Sequence, residues 1–145
     1  MTHTRHCHNR YCKPKIAGRR QLPKRSISSL FGKIALELGA AAERHLDEAF
    51  ADAQKNGRLP HWLTGWERQE KYSPADKHGV DFVFMTDIGK ILIQVKSSEA
   101  NAREFRWEHT GSGIRVVVVD IRDSYLKTFG KAMKEIADEH AKTVA

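Results

Sequence analysis

Gly79-Val80-Asp81-Phe82-Val83-Phe84, a polar interval over 86–90, then Ile91-Leu92-Ile93-Gln94-Val95-Lys96-Ser97-Ser98 is the stretch whose reading decides the fold. Two short runs rich in β-branched and aromatic residues, joined at Asp87-Ile88-Gly89, predict a β-hairpin. Side chains alternate faces along a strand, so Gln94 and Lys96 point the same way, and a suitable antiparallel register sets Asp81 beside them. A carboxylate, an amide and an ammonium then share one patch of an otherwise apolar hairpin. Burying such groups without partners costs about 1 to 3 kcal/mol each, so their presence asks for a physical reason. A divalent metal together with a phosphate is one such reason.

Outward from the hairpin, the apolar residues Leu30, Phe31, Ile34, Leu38, Ala41, Ala42, Leu46, Ala49, Phe50 and Ala53 fall at spacings of three and four. That periodicity predicts one long amphipathic helix from Ser26 to about Lys55, with Ser26, Ser28 and Ser29 as N-cap candidates and Asn56-Gly57 as the stop. Gly32 and Gly39 each cost about 1 kcal/mol relative to alanine inside a helix, which predicts a break or a close contact at one of them. Leu59 to Tyr72 is read as a first, irregular strand, and 73–79 as a turn-rich approach to the hairpin. A polar segment around Ala100 to Trp107 is a helical or loop crossover. Ile114 to Ile121 is the clearest strand, apolar on both faces at Val116 to Val119, as in a sheet covered on both sides. Tyr125 to Ala141 predicts a last helix with Leu126, Phe129, Met133, Ile136 and Ala137 inward. The order helix, three strands, crossover, strand, helix points to an α/β fold: a central mixed sheet of four to five strands flanked by helices.

At 145 residues the chain suits one domain. Its formal net charge of +7 is unevenly placed. Residues 1–25 hold eight Lys or Arg and no acid, which leaves 17 basic and 18 acidic groups, net −1, for the remainder. With Pro14, Gly18 and Pro23 and few apolar residues, 1–26 reads as a flexible basic arm preceding a domain at 27–145. Such an arm attracts nucleic acid through counterion release without distinguishing sequences, with Arg19, Arg20, Lys24 and Arg25 as candidate backbone contacts; a solvated tail is the bland alternative. The only cysteines, Cys7 and Cys12, lie in the arm and make no disulfide framework. His3, His6, Cys7, His8 and Cys12 include potential zinc ligands, but their spacing matches no common finger. No run resembles a signal peptide or reaches the length of a membrane span, so a soluble, cytoplasmic protein without a membrane partner is the expectation.

Asp81, the hairpin and then Gln94-Val95-Lys96 resemble the PD-(D/E)XK nuclease core, the restriction-endonuclease-like fold, in its Gln-x-Lys variant. Branches related to Mrr-type restriction enzymes and Holliday junction resolvases show similar Gly-hydrophobic-Asp and hydrophobic-Gln-hydrophobic-Lys-Ser-Ser segments. The resemblance implies a three-layer sandwich and a metal-dependent endonuclease that hydrolyses DNA phosphodiester bonds with Mg2+ or Mn2+. It implies Asp81 as principal metal ligand, with the Gln94 side-chain oxygen and the Val95 carbonyl completing the shell. Lys96 would position the attacking water and stabilise developing charge. The family often adds an acid from the first helix within Gly-x-x-x-Glu. Gly39-Ala40-Ala41-Ala42-Glu43 maps that role to Glu43, with Glu37 as competitor, and Asp76 could support the site. Ser97 and Ser98 could contact a phosphate at the start of the following helix or serve as plain N-caps. Nucleases of this size resembling the family often dimerise to cut both strands, which admits a homodimer. Gln94 supplies oxygen without charge, so the alternatives are a nucleic-acid-binding protein that keeps the fold without catalysis, and an interaction module in which Asp81, Gln94 and Lys96 only satisfy one another.

Overall fold

The structure, a computed structural model, describes residues 24–71 and 73–145. Its elements in chain order are α1 (Lys24–Lys55), β1 (Leu63–Arg68), α2 (Pro74–Lys77), β2 (Phe82–Thr86), β3 (Gly89–Lys96), α3 (Glu99–Glu108), β4 (Arg115–Val118) and α4 (Tyr125–Val144). The expected order holds, with a single-turn helix, α2, inside the segment read as turn. The four strands lie in the order β1-β2-β3-β4, so the sheet among the described residues has four strands and not five. β1, β2 and β3 form an antiparallel meander, and β4 joins β3 in parallel after the α3 crossover. The irregularity expected in the first strand is a register shift between Leu63 and Gly65.

The hairpin closes through Asp87 and Ile88, with Thr86 opposite Gly89. Gly89 has a φ of 139°, which glycine adopts without the steric cost of a Cβ. Alternation along β3 and β4 divides the core into two layers. Ile91, Ile93 and Val95 from β3 and Val117 and Val119 from the β4 segment bury against Ala42, Leu46 and Phe50 of α1 and Ala132 and Ile136 of α4. On the other face Val116, flanked by Ile114 and Val118, packs on Ala102 and Phe105 of α3. The result is an α/β fold with a mixed open sheet and helices on both faces, compatible with a three-layer sandwich. Trp62 and Trp66 pack against the larger core, whereas Trp107 is exposed on α3.

Four helix expectations need correction. α1 begins at Lys24, not Ser26, because nothing between Pro23 and Gly32 breaks a helix and Lys and Arg favour one. The helix also runs unbroken through Gly32 and Gly39, and a Cβ at either would meet nothing within 4 Å. Leu30, Phe31, Ile34 and Leu38 are exposed: the sheet lies beneath α1 only from Ala42 onward. In α4, Leu126 is likewise exposed, and the inward positions are Thr128, Ala132 and Ile136 with Phe129 and Met133 beside them.

Phe50 is the centre of the larger core, fully buried with ring centroids 4.7 Å from Phe84, 5.1 Å from Phe129 and 5.6 Å from Trp66. Phe50→Ala should therefore lower unfolding free energy by about 3 to 5 kcal/mol in urea titrations, with a loss under 1 kcal/mol refuting this account of the core.

Candidate active site

β3 ends at Lys96, and Ser97 and Ser98 turn the chain into α3. Ser98 caps that helix: its backbone is extended and its Oγ accepts the Asn101 N–H at 3.2 Å. Beside this strand end lies a cavity of about 340 Å³. Gln94, Val95, Lys96 and Ser97 line it from β3 and its extension, and Gly39, Ala40 and Glu43 from α1. Lys71, Asp76 and Asn101 also contribute.

Asp81 immediately precedes β2 and is buried, with 7% of its surface exposed. Its N–H donates to the Ile93 carbonyl at 2.9 Å, and its Oδ2 accepts the Val95 N–H at 2.8 Å. Burial pushes its carboxyl up to about 7, against the Val95 hydrogen bond that favours the anion. Glu43 and Asp76 raise it further and Lys96 lowers it, so all three charges reach Asp81 electrostatically.

Gln94 is buried as well. Its Nε2 donates to the Val95 carbonyl at 3.3 Å, and its Oε1 has no hydrogen-bond partner among the described residues. An amide oxygen left bare in a protein interior forfeits a hydrogen bond, which costs about 1 to 3 kcal/mol. Lys96, half-buried, holds its ammonium 5.0 Å from the centroid of the Phe105 ring, a cation–π contact. Phe105 occupies space that only glycine leaves: a Cβ on Gly79, whose φ is 83°, would stand 2.9 Å from Phe105 Cε2. Gly79 is therefore required for the packing that supports Lys96.

Glu43 lies on the α1 wall, and its Oε2 accepts from Arg68 Nη2 at 2.9 Å and Nε at 3.2 Å. Glu37 is exposed and does not line the cavity. Of the residues singled out in the sequence, Glu43, Asp76, Gln94, Val95, Lys96 and Ser97 meet at this cavity, with Asp81 buried against Val95. Arg19, Arg20 and the arm's histidines and cysteines lie outside the described residues, while Lys24 and Arg25 begin α1. Arg68, Lys71, Asn101 and Phe105 were not anticipated. Arg68 could have been found from its strand register opposite Phe82, next to Asp81, but Lys71 and Asn101 carry no distinguishing signal in the sequence.

Hard oxygen donors suit a magnesium-type cation, which needs only one or two carboxylates. Asp81, Glu43 and the bare Gln94 Oε1 fit that chemistry. Among the described residues no group of three His, Cys, Asp or Glu side chains could hold a metal. No known protein family, curated protein or solved structure matches the chain. No helix among the described residues is long and apolar enough to cross a membrane.

A carboxyl raised from 3.8 to about 7 favours the folded state fully below its unfolded value and loses that advantage as pH rises through 7. The difference is on the order of 4 kcal/mol between the two limits. Asp81→Asn should therefore gain stability relative to wild type progressively from pH 4 to pH 8, read by urea unfolding. A gap between the two proteins that does not change with pH would contradict a buried, neutralised Asp81.

Proposed function

We propose that this protein is a metal-dependent endonuclease acting on DNA, with the restriction-endonuclease-like arrangement of the PD-(D/E)XK nucleases. The observation that carries the reading is the unpartnered Gln94 Oε1, buried beside a cavity it shares with Lys96 and Glu43, with the buried Asp81 carboxylate held on the Val95 N–H. A set of groups that only satisfied one another would look different. Asp81 and Lys96 make no ion pair of 4.0 Å or less; the carboxylate is on a backbone amide and the ammonium is over an aromatic ring.

Asp81, Glu43 and the Gln94 and Val95 oxygens would hold Mg2+ or Mn2+. Such a cation supplies Lewis acidity toward a phosphoryl oxygen and makes water a stronger nucleophile at neutral pH. Asp81 must give up its proton to serve, so the site fills more readily above pH 7 than below it. Lys96 then orients the attacking water and offsets the negative charge that develops on the phosphorus oxygens. Phe105, seated over Gly79, holds the Lys96 ammonium, and Arg68 holds the Glu43 carboxylate, so neither group must reorganise when substrate arrives. Arg19 and Arg20 of the basic arm, with Lys24 and Arg25 at the start of α1, add affinity for the phosphate backbone without sequence preference. Ser97 adds a hydroxyl at the cavity, while the Ser98 oxygen is already engaged as a cap.

Gln94 supports a second reading, a nucleic-acid-binding protein with the same architecture and no catalysis, because an amide leaves the donor set one charge poorer.

Plasmid, linear, single-stranded and branched DNA incubated with Mg2+, Mn2+ or EDTA distinguish the two. Metal-dependent cutting is expected, abolished in Asp81→Ala and reduced about 10² to 10³-fold in Lys96→Ala. Binding without cutting under any metal would establish the second reading, and equal cutting by wild type and Asp81→Ala would refute the first. Gln94→Glu should tighten metal binding in calorimetry, since it adds a charged ligand; unchanged or weaker binding would remove Gln94 from the donor set.

A further inference from the structure

Strand β4 is an edge of the sheet, and no strand among the described residues pairs with its outer side. Val119 donates its N–H to the Lys96 carbonyl at 2.8 Å, and Lys96 stands opposite Val118. Main-chain groups alternate sides along a strand, so those of Arg115, Val117 and Val119 face β3. The N–H and C=O groups of Val116 and Val118 therefore point out of the sheet. They open into a groove of about 220 Å³ walled by α3 and α4, with Val116, Val117 and Val118 along its floor. Sheet edges are commonly blunted by a charge, a proline or a bulge. The run Val116 to Val119 has no charge and no proline.

Charge stands on the two walls instead. Arg106 of α3 and Lys131 and Lys134 of α4 line the groove with Glu99 and Glu135. Glu135 is engaged by Arg115 at 2.8 Å, and Glu99 sits in the first turn of α3, where the helix dipole favours an acid. Lys131 is held by Asp123 at 2.7 Å, whereas Arg106 and Lys134 form no salt bridge among the described residues. The groove thus offers main-chain donors and acceptors between two uncompensated cations.

We propose that the β4 edge docks an acidic, extended segment of a partner protein, which adds a fifth strand to the sheet. Neighbouring residues of an added strand face opposite sides, so consecutive acids reach Arg106 on one wall and Lys134 on the other. Charge complementarity selects this occupant. A second copy of β4 would bring its own Arg106, Lys131 and Lys134 against the same cations. Residues 1–23 carry six Lys or Arg and no acid, so the chain's own arm is repelled as well. A nucleic-acid strand could accept from the two N–H groups but would leave the Val116 and Val118 carbonyls unpaired. This docking surface does not depend on the nuclease reading.

The test uses the full chain and a blocked synthetic peptide in which pairs of glutamates alternate with single valines. Amide hydrogen exchange at Val116 and Val118, followed by NMR, should slow at least about tenfold at saturating peptide, while Val117 and Val119, already turned to β3, change little. In calorimetry, replacing the glutamates by glutamines, or combining Arg106→Glu with Lys134→Glu in the protein, should each raise the dissociation constant about tenfold or more. Methylating the peptide nitrogens that face β4 should abolish binding. Unaltered exchange at Val116 and Val118, or equal affinity after the charge reversals, would overturn the proposal. So would protection of the same two amides by a single-stranded oligonucleotide that displaces the peptide, or protection that grows with protein concentration alone, which would assign the edge to nucleic acid or to a second copy.

Discussion

Strand β3 has hydrogen-bonded neighbours on both edges, β2 running against it and β4 running with it. Its side chains can therefore leave only toward one helical layer or the other. Ile91, Ile93 and Val95 enter the larger core beneath α1 and α4, and Gln94 and Lys96 are turned to the α3 side. A slip of one residue would carry the polar pair into the larger core and expel the aliphatic residues, so the hydrophobic pattern holds this register firmly. The Val95 N–H is the point where the scaffold and the site meet, because it holds the Asp81 carboxylate against the strand that carries Gln94 and Lys96.

From that strand the electrostatics of the site follow. Asp81 is buried by the sheet, so its charge is disfavoured, and Glu43 and Asp76 disfavour it further. A single backbone amide and the Lys96 ammonium act in the other direction. The carboxyl is pushed up to about 7 as a result, and the Gln94 amide nitrogen donates to the carbonyl of the same Val95 whose N–H holds Asp81. Stability and chemistry pull against each other at this spot. The groups that make the proposed metal site are those that an apolar replacement would stabilise.

Much of this was legible beforehand. The alternation at 91–96, the apolar run at 116–119 and the periodicity of 42–53 each specify an element and its buried face, and the elements came in the expected order. Errors cluster where a local pattern has no neighbour to pack on. Leu30 to Leu38 has the same spacing as the buried half of α1, yet the sheet ends beneath Ala42, and Leu126 has helical periodicity at a point where α4 overhangs the core. Periodicity reports that a face is apolar; it carries no information about what covers that face.

The sequence by itself determined which residues could share a strand face, which acid on the first helix lies four positions beyond a glycine, and where the basic charge is concentrated. These are matters of period and composition, set by backbone geometry that every chain obeys. Only the tertiary structure decided that Glu43, not Glu37, stands at the cavity, that Arg68 steadies it, and that Phe105 against Gly79 carries Lys96. Those relations join residues far apart in the chain, and they exist only after the hydrophobic layers have fixed how α1, the sheet and α3 stack.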